Sequence, residues 1–311
     1  MKLKEFAAEY KNGKIAKQDY IEKMHEIHRI LFEYPEYIRD TDIKSIEIAD
    51  GEVVMTTKER GVKMYADVDD MRIIPIEILN FGAHEKEELD MMDRLVHDRA
   101  TVIDIGANIG WYTINIAKMK PNATVHAFEP IPKTFVYLEK NIALNDVANA
   151  SLYNFGFSNK SDVLTFYYYP ECSVNASMAN VSDRENVEKI KCKVMRLDDF
   201  MRERDFAVDF IKCDVEGAEL LVFQGGVKTI AEHKPAVFTE MLRKWSAKFG
   251  YHPNDIISLF RDMGFCCFTV KNGGLTEFIS MDENTEETSF FFLHHDKHAC
   301  QIETLCAPCP T

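Results

Sequence analysis

From about residue 100 onward, short apolar runs alternate with amphipathic segments, and this alternation constrains the fold more than any other feature. The runs "ATVIDIG" and "ATVHAFEP" have the composition of buried strands. A helical segment follows each of them: "WYTINIAKM" ends before Pro121, and "PKTFVYLEKNIALN" places Phe135, Leu138 and Ile142 on one face. Strands separated by helices usually pair in parallel. The pattern therefore predicts an α/β fold with a mostly parallel sheet and helices on both faces.

The alternation continues to about residue 295. The runs "ASLYNFG", "VDFIKCD" and "PAVFTEM" are further strands, "AELLVFQGG" and "NDIISLFRDMG" are helices, and "FCCFTVK" and "TSFFFLHH" complete the sheet. Two strand-like runs, "DVLTFYYY" and "KIKCKVMRL", interrupt this order and predict an inserted hairpin.

The chain before the alternating region has a different pattern. Its first forty residues have helical periodicity, and "IKSIEIADGEVVMTT" carries an Asp50-Gly51 hairpin signal between two apolar runs. We therefore predict a helical segment over residues 1–40, a small β cap over 41–80 and the main domain over 81–297. The remaining residues, 298–311, are predicted to form a flexible, cysteine-containing tail.

Charge and cysteine usage narrow the function classes. The net charge is −14 and no cluster of lysine or arginine occurs, so a nucleic-acid partner or an anionic membrane surface is disfavoured. No apolar run is long enough for a membrane span, and the first residues lack the apolar region of a secretory signal. The cysteines do not form a disulfide framework, and we expect a reduced, cytoplasmic protein. Near the C-terminus, Cys300, Cys306 and Cys309 with His298 could bind zinc, but a frayed tail is the favoured interpretation.

The segment "VIDIGANIGWYT" joins the first strand of the main domain to a helix. It contains Asp104, Gly106, Asn108 and Gly110 at alternate positions, and glycines let the backbone approach a ligand closely. The next strand ends at Glu129, an acid placed to accept hydrogen bonds from ribose hydroxyls. A dinucleotide loop would have glycine where Asn108 stands. S-adenosylmethionine has no pyrophosphate, and an acid such as Asp104 suits its ammonium group, so this set favours S-adenosylmethionine.

Acidic residues follow two predicted central strands. Asp214 and Glu216 come after "VDFIKC", and Glu240 ends "AVFTE". The carboxyl ends of such strands form the ligand-binding edge of an open α/β sheet, which places these acids beside the glycine loop. Asp214 is the first candidate for a general base that accepts a hydroxyl proton, followed by Glu216 and Glu240. Asp214 or Glu216 could instead bind substrate hydroxyls or cap the next helix, and the two together with Asp198 could hold a divalent cation.

Three segments together resemble the FkbM-type family of S-adenosylmethionine-dependent methyltransferases. They are "TVIDIGANIGWYT", "AFEPIPKTFVYLEKNIALN" and "DFIKCDVEGAELLVFQGG", and the likeness spans about residues 80 to 295. The resemblance implies a class I methyltransferase sheet of about seven strands and methylation of hydroxyl oxygens on sugars, glycans or small metabolites. It also implies that Gly106, Asn108, Gly110 and Glu129 bind the cofactor. We add Asp104 and Ser158 to that predicted set.

Other functions remain open at this point. An NAD-dependent oxidoreductase could use a related sheet, although the dinucleotide glycine pattern is missing. A non-catalytic module could retain the cofactor pocket alone. Methyltransferases that act on nucleic acids or amides often carry an N-P-P-[YF] loop after the fourth strand, where this chain has "DVEG". The sequence leaves the acceptor and the oligomeric state undetermined.

Overall fold

The computed structural model describes residues 2–183 and 187–306. The helices are α1 Lys2–Lys11, α2 Lys17–His28, α3 Tyr34–Tyr37, α4 Ile74–Phe81, α5 Lys86–Leu95, α6 Trp111–Met119, α7 Pro132–Leu144, α8 Leu197–Met201, α9 Glu219–Gly225, α10 Val227–His233, α11 Arg243–Ser246, α12 Pro253–Asp262 and α13 Ala299–Cys306. The strands are β1 Ile43–Ala49, β2 Glu52–Thr57, β3 Lys63–Ala66, β4 Thr101–Ile105, β5 Thr124–Phe128, β6 Ala150–Tyr153, β7 Gly156–Phe157, β8 Asp162–Tyr168, β9 Glu188–Met195, β10 Phe210–Cys213, β11 Ala236–Glu240, β12 Phe265–Lys271, β13 Gly274–Phe278 and β14 Ser289–His294.

The main sheet has eight strands in the order β13-β12-β14-β11-β10-β4-β5-β6. Strands β6, β5, β4, β10 and β11 are parallel, whereas β14, β12 and β13 pair in antiparallel fashion. The predicted α/β fold is confirmed, with β13 as an additional edge strand. The sequence signal for β13 is the Asn272-Gly273 pair, which is typical of a hairpin turn. In the structure both residues have positive φ and form the tight turn that joins β12 to β13.

Apolar side chains pack on both faces of this sheet. Val102 belongs to one hydrophobic core, together with residues of α5, α6 and α7. Its neighbours Ile103 and Ile105 belong mainly to a second core, formed with α8, α9, α10 and α12. Successive side chains of a strand point to opposite faces, so a central parallel strand needs apolar residues on both. This double burial leaves the carboxyl edge of the sheet as the place where polar groups can gather.

Two smaller sheets flank the main one. Strands β1, β2 and β3 form an antiparallel sheet in the region predicted as a β cap. Helix α7 holds it, because the side-chain carbonyls of Asn141 and Asn145 accept hydrogen bonds from the amides of Tyr65 and Lys63, at 3.0 and 2.9 Å. The inserted hairpin is present as β8 and β9, and β7 adds a parallel strand beside β9.

The C-terminal segment differs from the flexible tail predicted there. Residues Ala299–Cys306 form α13. Leu305 on this helix is buried in the hydrophobic core, and this contact docks the helix onto the domain. Within the described part of the chain, no cluster joins His298 to Cys300 or Cys306, and Cys309 lies outside the described residues. None of the helices in residues 2–183 and 187–306 is long and apolar enough to cross a membrane.

Candidate active site

A cleft with a cavity volume of about 220 Å³ lies at the carboxyl edge of the sheet. Strands β4 and β10 are parallel neighbours, with Ile105 opposite Cys213, so the residues that follow them lie side by side. Six of the nine predicted site residues line this cleft: Gly106, Asn108, Glu129, Asp214, Glu216 and Glu240. The order of the strands therefore brings the glycine loop and the acids into one site.

The glycine loop fits closely against the segment that follows β10. Gly106 has a φ of +75°, and a Cβ there would stand 3.0 Å from the carbonyl carbon of Asp214 and closer still to its oxygen. The amides of Gly106 and Ala107 both donate to the carbonyl of Phe128, at 3.0 and 2.9 Å. Only glycine combines this backbone conformation with so close an approach. The two walls of the cleft are thus fixed relative to each other by Gly106.

Gly110 lies where two helices pack closely together. It does not line the cleft, and a Cβ at Gly110 would lie 2.8 Å from Cδ1 of Leu138. Its small size lets α6 start close to α7. Ser158 is also absent from the cleft: it is buried beside α9, where a Cβ on Gly225 would stand 3.0 Å from the Ser158 carbonyl carbon. Both residues therefore pack against neighbouring helices outside the cleft, and their predicted part in cofactor binding stays a prediction.

Glu129 is held rigidly at the end of β5. Its carboxylate accepts hydrogen bonds from the amides of Asn108 and Ile131, at 3.0 and 2.8 Å. Burial raises the pKa of Glu129 to about 7, and the two backbone hydrogen bonds limit this rise. Because the side chain still lines the cleft, its remaining lone pairs are available to ligand hydroxyl groups.

Asp104 is buried beneath the loop and does not line the cleft. It is 0% exposed, and its carboxylate accepts a hydrogen bond of 2.5 Å from Thr113. Asp104 lies opposite Lys212 in the register of β4 and β10, and the Lys212 ammonium stands 3.4 Å from it. A buried carboxylate requires such a partner, so Asp104 stabilises the strand pair.

Lys212 connects the loop to the acids. Its ammonium donates to the carbonyl of Gly106 at 2.7 Å and lies 3.7 Å from the Asp214 carboxylate. Burial opposes the positive charge, but Asp104 and Asp214 more than offset it and raise the pKa of Lys212 above its usual value. The ammonium is therefore charged and fixes the carboxyl end of β10 against the glycine loop.

Three carboxylates meet on the floor of the cleft. Ligand atoms of Asp214, Glu216 and Glu240 all lie within 4.8 Å of one another, and Glu240 stands where the sequence had suggested Asp198. The pKa values of Glu216 and Glu240 are raised well above the usual range. Burial is the largest cause, and repulsion from Asp214 is the second. Asp214 Oδ1 and Glu216 Oε2 are buried and lack a hydrogen-bond partner among the described residues. We call Asp214, Glu216 and Glu240 the carboxylate cluster.

Two other acids near this region have structural roles. Glu219 accepts hydrogen bonds from the amides of Val215 and Gly217, at 3.1 and 3.0 Å, and so shapes the turn after β10. Asp198 accepts hydrogen bonds from the amide and hydroxyl of Thr229, at 3.0 and 2.9 Å. It therefore caps the first turn of α10, and the predicted cation set that includes Asp198 is not assembled.

Several cleft residues come from elements that the sequence could not place. Glu85 precedes α5 and accepts a hydrogen bond from the hydroxyl of Tyr112, while Arg72 pairs with Glu77 at 2.8 Å. Trp111 is 4% exposed, and its Nε1 has no hydrogen-bond partner among the described residues. All five line the cleft. Only Trp111 and Tyr112 adjoin a recognisable motif, the glycine loop.

Comparison with known proteins identifies relatives of this chain. The model of the methyltransferase FkbM domain matches residues 104–267. "Methyltransferase 1" of Beauveria bassiana is 30% identical over 146 residues, which are 41% of this chain and 59% of that protein. "Methyltransferase sdnD" of Sordaria araneosa is 28% identical over 193 residues, 53% of this chain and 73% of the relative. "31-O-demethyl-FK506 methyltransferase FkbM" of Streptomyces tacrolimicus is 29% identical over 154 residues, 40% of this chain and 58% of the relative. The chain thus spans less than two thirds of two of these relatives.

Proposed function

The chain belongs to the FkbM methyltransferase family, and we propose that it transfers the methyl group of S-adenosylmethionine to a hydroxyl oxygen of a sugar, glycan or small metabolite. The observation that carries the proposal is the contact between the glycine loop and Asp214. It puts the predicted cofactor residues Asn108 and Glu129 in the same cleft as a carboxylate with a free oxygen. The name of the Streptomyces relative, which refers to a 31-O-demethyl substrate, supports oxygen as the methyl acceptor.

The residues in the cleft fit this cofactor. Glu129 faces the cleft with lone pairs that suit two ribose hydroxyls, and Asn108 takes the place of the second glycine of a dinucleotide loop. The cofactor supplies an electrophilic methyl group on a sulfonium. Holding an acceptor in line with that methyl group lowers the barrier mainly through positioning. The protein contributes the walls of the cleft and a base.

Asp214 is the best placed of the three candidate bases. Its Oδ1 has no hydrogen-bond partner among the described residues, whereas the Lys212 ammonium lies on the side of Oδ2. An alcohol loses its proton as it attacks, and a carboxylate within hydrogen-bond reach can accept it. The raised pKa values of Glu216 and Glu240 favour their protonated forms, which are poor bases but can donate hydrogen bonds to an acceptor.

The alternatives make different use of the same cleft. An NAD-dependent oxidoreductase would need a pyrophosphate site, but the loop amides of Gly106 and Ala107 already donate to Phe128. A divalent cation held by the carboxylate cluster is a second alternative, in which activity would require added metal. A non-catalytic module would bind the cofactor and transfer nothing.

A labelled-methyl assay tests the proposal. The purified protein is incubated with S-adenosylmethionine carrying a labelled methyl group and a panel of sugars, glycans and hydroxylated metabolites. We expect label in a hydroxyl position of one acceptor class, with turnover at least a hundredfold lower in Asp214→Asn. Asp262→Asn, an exposed change on α12, is the matched control. Equal turnover in Asp214→Asn would exclude Asp214 as the base, and turnover that disappears with a chelator would favour the metal alternative.

A further inference from the structure

Two loops outside the main sheet contribute to the wall of the cleft. The cap loop, residues 67–73, joins β3 to α4 and contributes Arg72, and the insert loop, residues 169–177, follows β8 and contributes residues 173–176. The matched family domain begins at residue 104, so the cap loop lies before it. Binding residues are often carried on loops that a rigid scaffold positions. These two loops are therefore the part of the cleft that can suit a particular methyl acceptor.

Asp70 joins the two loops to each other. It is 3% exposed, and its two carboxylate oxygens accept hydrogen bonds from the amide of Arg72 at 3.0 Å and from the amide of Ser173 at 3.1 Å. Beside it, the amide of Met71 donates to the carbonyl of Glu171 at 3.0 Å. The two amides bind different oxygens of Asp70. An asparagine has one acceptor oxygen, so its NH2 group would face one of the two amides.

The insert loop has a second attachment, next to the carboxylate cluster. Ser177 is fully buried, and its hydroxyl donates to the carbonyl of Glu216 at 2.7 Å. The amide and carbonyl of Ser177 pair with Tyr167 of β8. The cleft-lining residues 173–176 thus follow the attachment to Asp70 and precede the one at Ser177. Loss of the Asp70 attachment alone should displace these residues locally, while Ser177 keeps the loop on the protein.

The part of the cleft that is predicted to bind the cofactor is held by other contacts. Glu129 accepts hydrogen bonds from the amides of Asn108 and Ile131, and the carbonyl of Gly106 accepts one from Lys212. These partners belong to neither the cap loop nor the insert loop. A change at Asp70 can therefore alter the wall of the cleft without removing the hydrogen bonds of the glycine loop.

We propose that Asp70 is a positioning residue for the methyl acceptor: by holding the cap loop and the insert loop together, it places Arg72 and residues 173–176 against the acceptor. This inference rests on the proposed function. Asp70 does not line the cleft itself, so it acts through the residues that it holds. The insert loop is attached to the turn that carries Asp214 and Glu216, so its cleft-lining residues lie next to the acids that the acceptor hydroxyl must reach.

Kinetics and calorimetry separate this role from a merely structural one. The acceptor is the sugar, glycan or metabolite that the wild-type protein labels in the methyl-transfer assay, used at saturating S-adenosylmethionine. Asp70→Asn should raise the KM of this acceptor about ten-fold and change kcat less than about three-fold, because misplaced groups weaken acceptor binding. The Kd for S-adenosylmethionine, measured by calorimetry, should not change. Hydrogen exchange should become faster at the amides of the insert loop and stay the same at Asn108.

A neighbouring acid provides the matched control. Asp69→Asn removes an exposed charge from the same cap loop and should match the wild type in every measurement. If Asp70→Asn does not fold, Ser177→Ala, which removes the other side-chain attachment of the insert loop, carries the same expectation for the acceptor KM and the cofactor Kd. An unchanged acceptor KM, or a loss of S-adenosylmethionine affinity as large as the rise in KM, would overturn the inference and leave the proposed function intact. Absence of methyl transfer to every acceptor by the wild type would remove both.

Discussion

Replacing Gly106 by alanine should damage the cleft far more than the same replacement at Gly250. The two glycines have almost the same φ, +75° and +76°. A Cβ at Gly106 would overlap the carbonyl oxygen of Asp214 and lie 3.3 Å from Cγ1 of Val215, whereas a Cβ at Gly250 would meet nothing within 4 Å. The pair therefore separates backbone strain from steric conflict.

The magnitudes follow from these two contributions. An alanine in the left-handed region costs about 1–2 kcal/mol, and both variants bear that cost. Forcing an extra carbon into a close-packed contact costs a further 1–3 kcal/mol or so, which applies to Gly106 alone. We expect Gly250→Ala to lose about 1–2 kcal/mol of unfolding free energy and Gly106→Ala about 2–5 kcal/mol. Typical domains have about 5–15 kcal/mol, so both variants should remain folded.

Urea denaturation and calorimetry give the two readouts. Because the conflict displaces Asp214 from the loop, Gly106→Ala should bind S-adenosylmethionine at least ten-fold more weakly than the wild type. Gly250→Ala should bind it normally. Equal stabilities and equal affinities in the two variants would refute the claim that the loop and the segment after β10 are held in direct contact.

Three further predictions concern individual contacts. Binding of S-adenosylmethionine should strengthen about ten-fold from pH 6 to pH 8, because Glu129, with a pKa of about 7, must be ionised to accept both ribose hydrogens; calorimetry of Glu129→Gln should show no such change. Without ligand, the stability of the fold depends on pH in the opposite direction. The pKa of Glu129 is higher in the folded protein than in the unfolded chain, so its contribution to the unfolding free energy is complete below about pH 4.5 and is lost as the pH rises through 7. Asp198→Ala should lower the unfolding free energy by about 1–2 kcal/mol in urea, because α10 loses its cap at Thr229, and cofactor affinity should not change. Lys212→Met should lower the unfolding free energy by about 3–5 kcal/mol, because it leaves Asp104 buried without its partner. Adding Asp104→Asn should restore part of that loss. If the two substitutions lower the unfolding free energy additively in this double-mutant cycle, the ion pair is contradicted.

The fold could be predicted from the sequence because its pattern is repeated along the chain. The central strands of the parallel part are largely apolar, and successive parallel strands are separated by helices, which leaves few topologies. The position of Asp214 beside the glycine loop followed from the same rule, since the ends of β4 and β10 share an edge. Strand β13 was missed although "NGG" marks its turn, because the strand itself, "GLTEF", is short and half polar.

The roles of individual acids could be predicted less well, because they depend on register and packing. Asp104 lies within β4 and Glu129 follows β5, yet only Glu129 reaches the cleft. The register that puts Asp104 opposite Lys212 is a tertiary feature, and sequence spacing does not reveal it. Glu85 belongs to the segment before the main sheet and reaches the cleft only through packing of α5. No local pattern distinguishes it from a surface acid.

The central claim is that the cleft at the ends of β4, β5 and β10 binds S-adenosylmethionine. Calorimetric titration of the purified protein at neutral pH with S-adenosylmethionine and, separately, with NAD tests it most directly. The account predicts a single site of micromolar affinity for S-adenosylmethionine and no heat of binding for NAD. Binding of NAD, or of neither ligand, would contradict the assignment of the glycine loop and of Glu129.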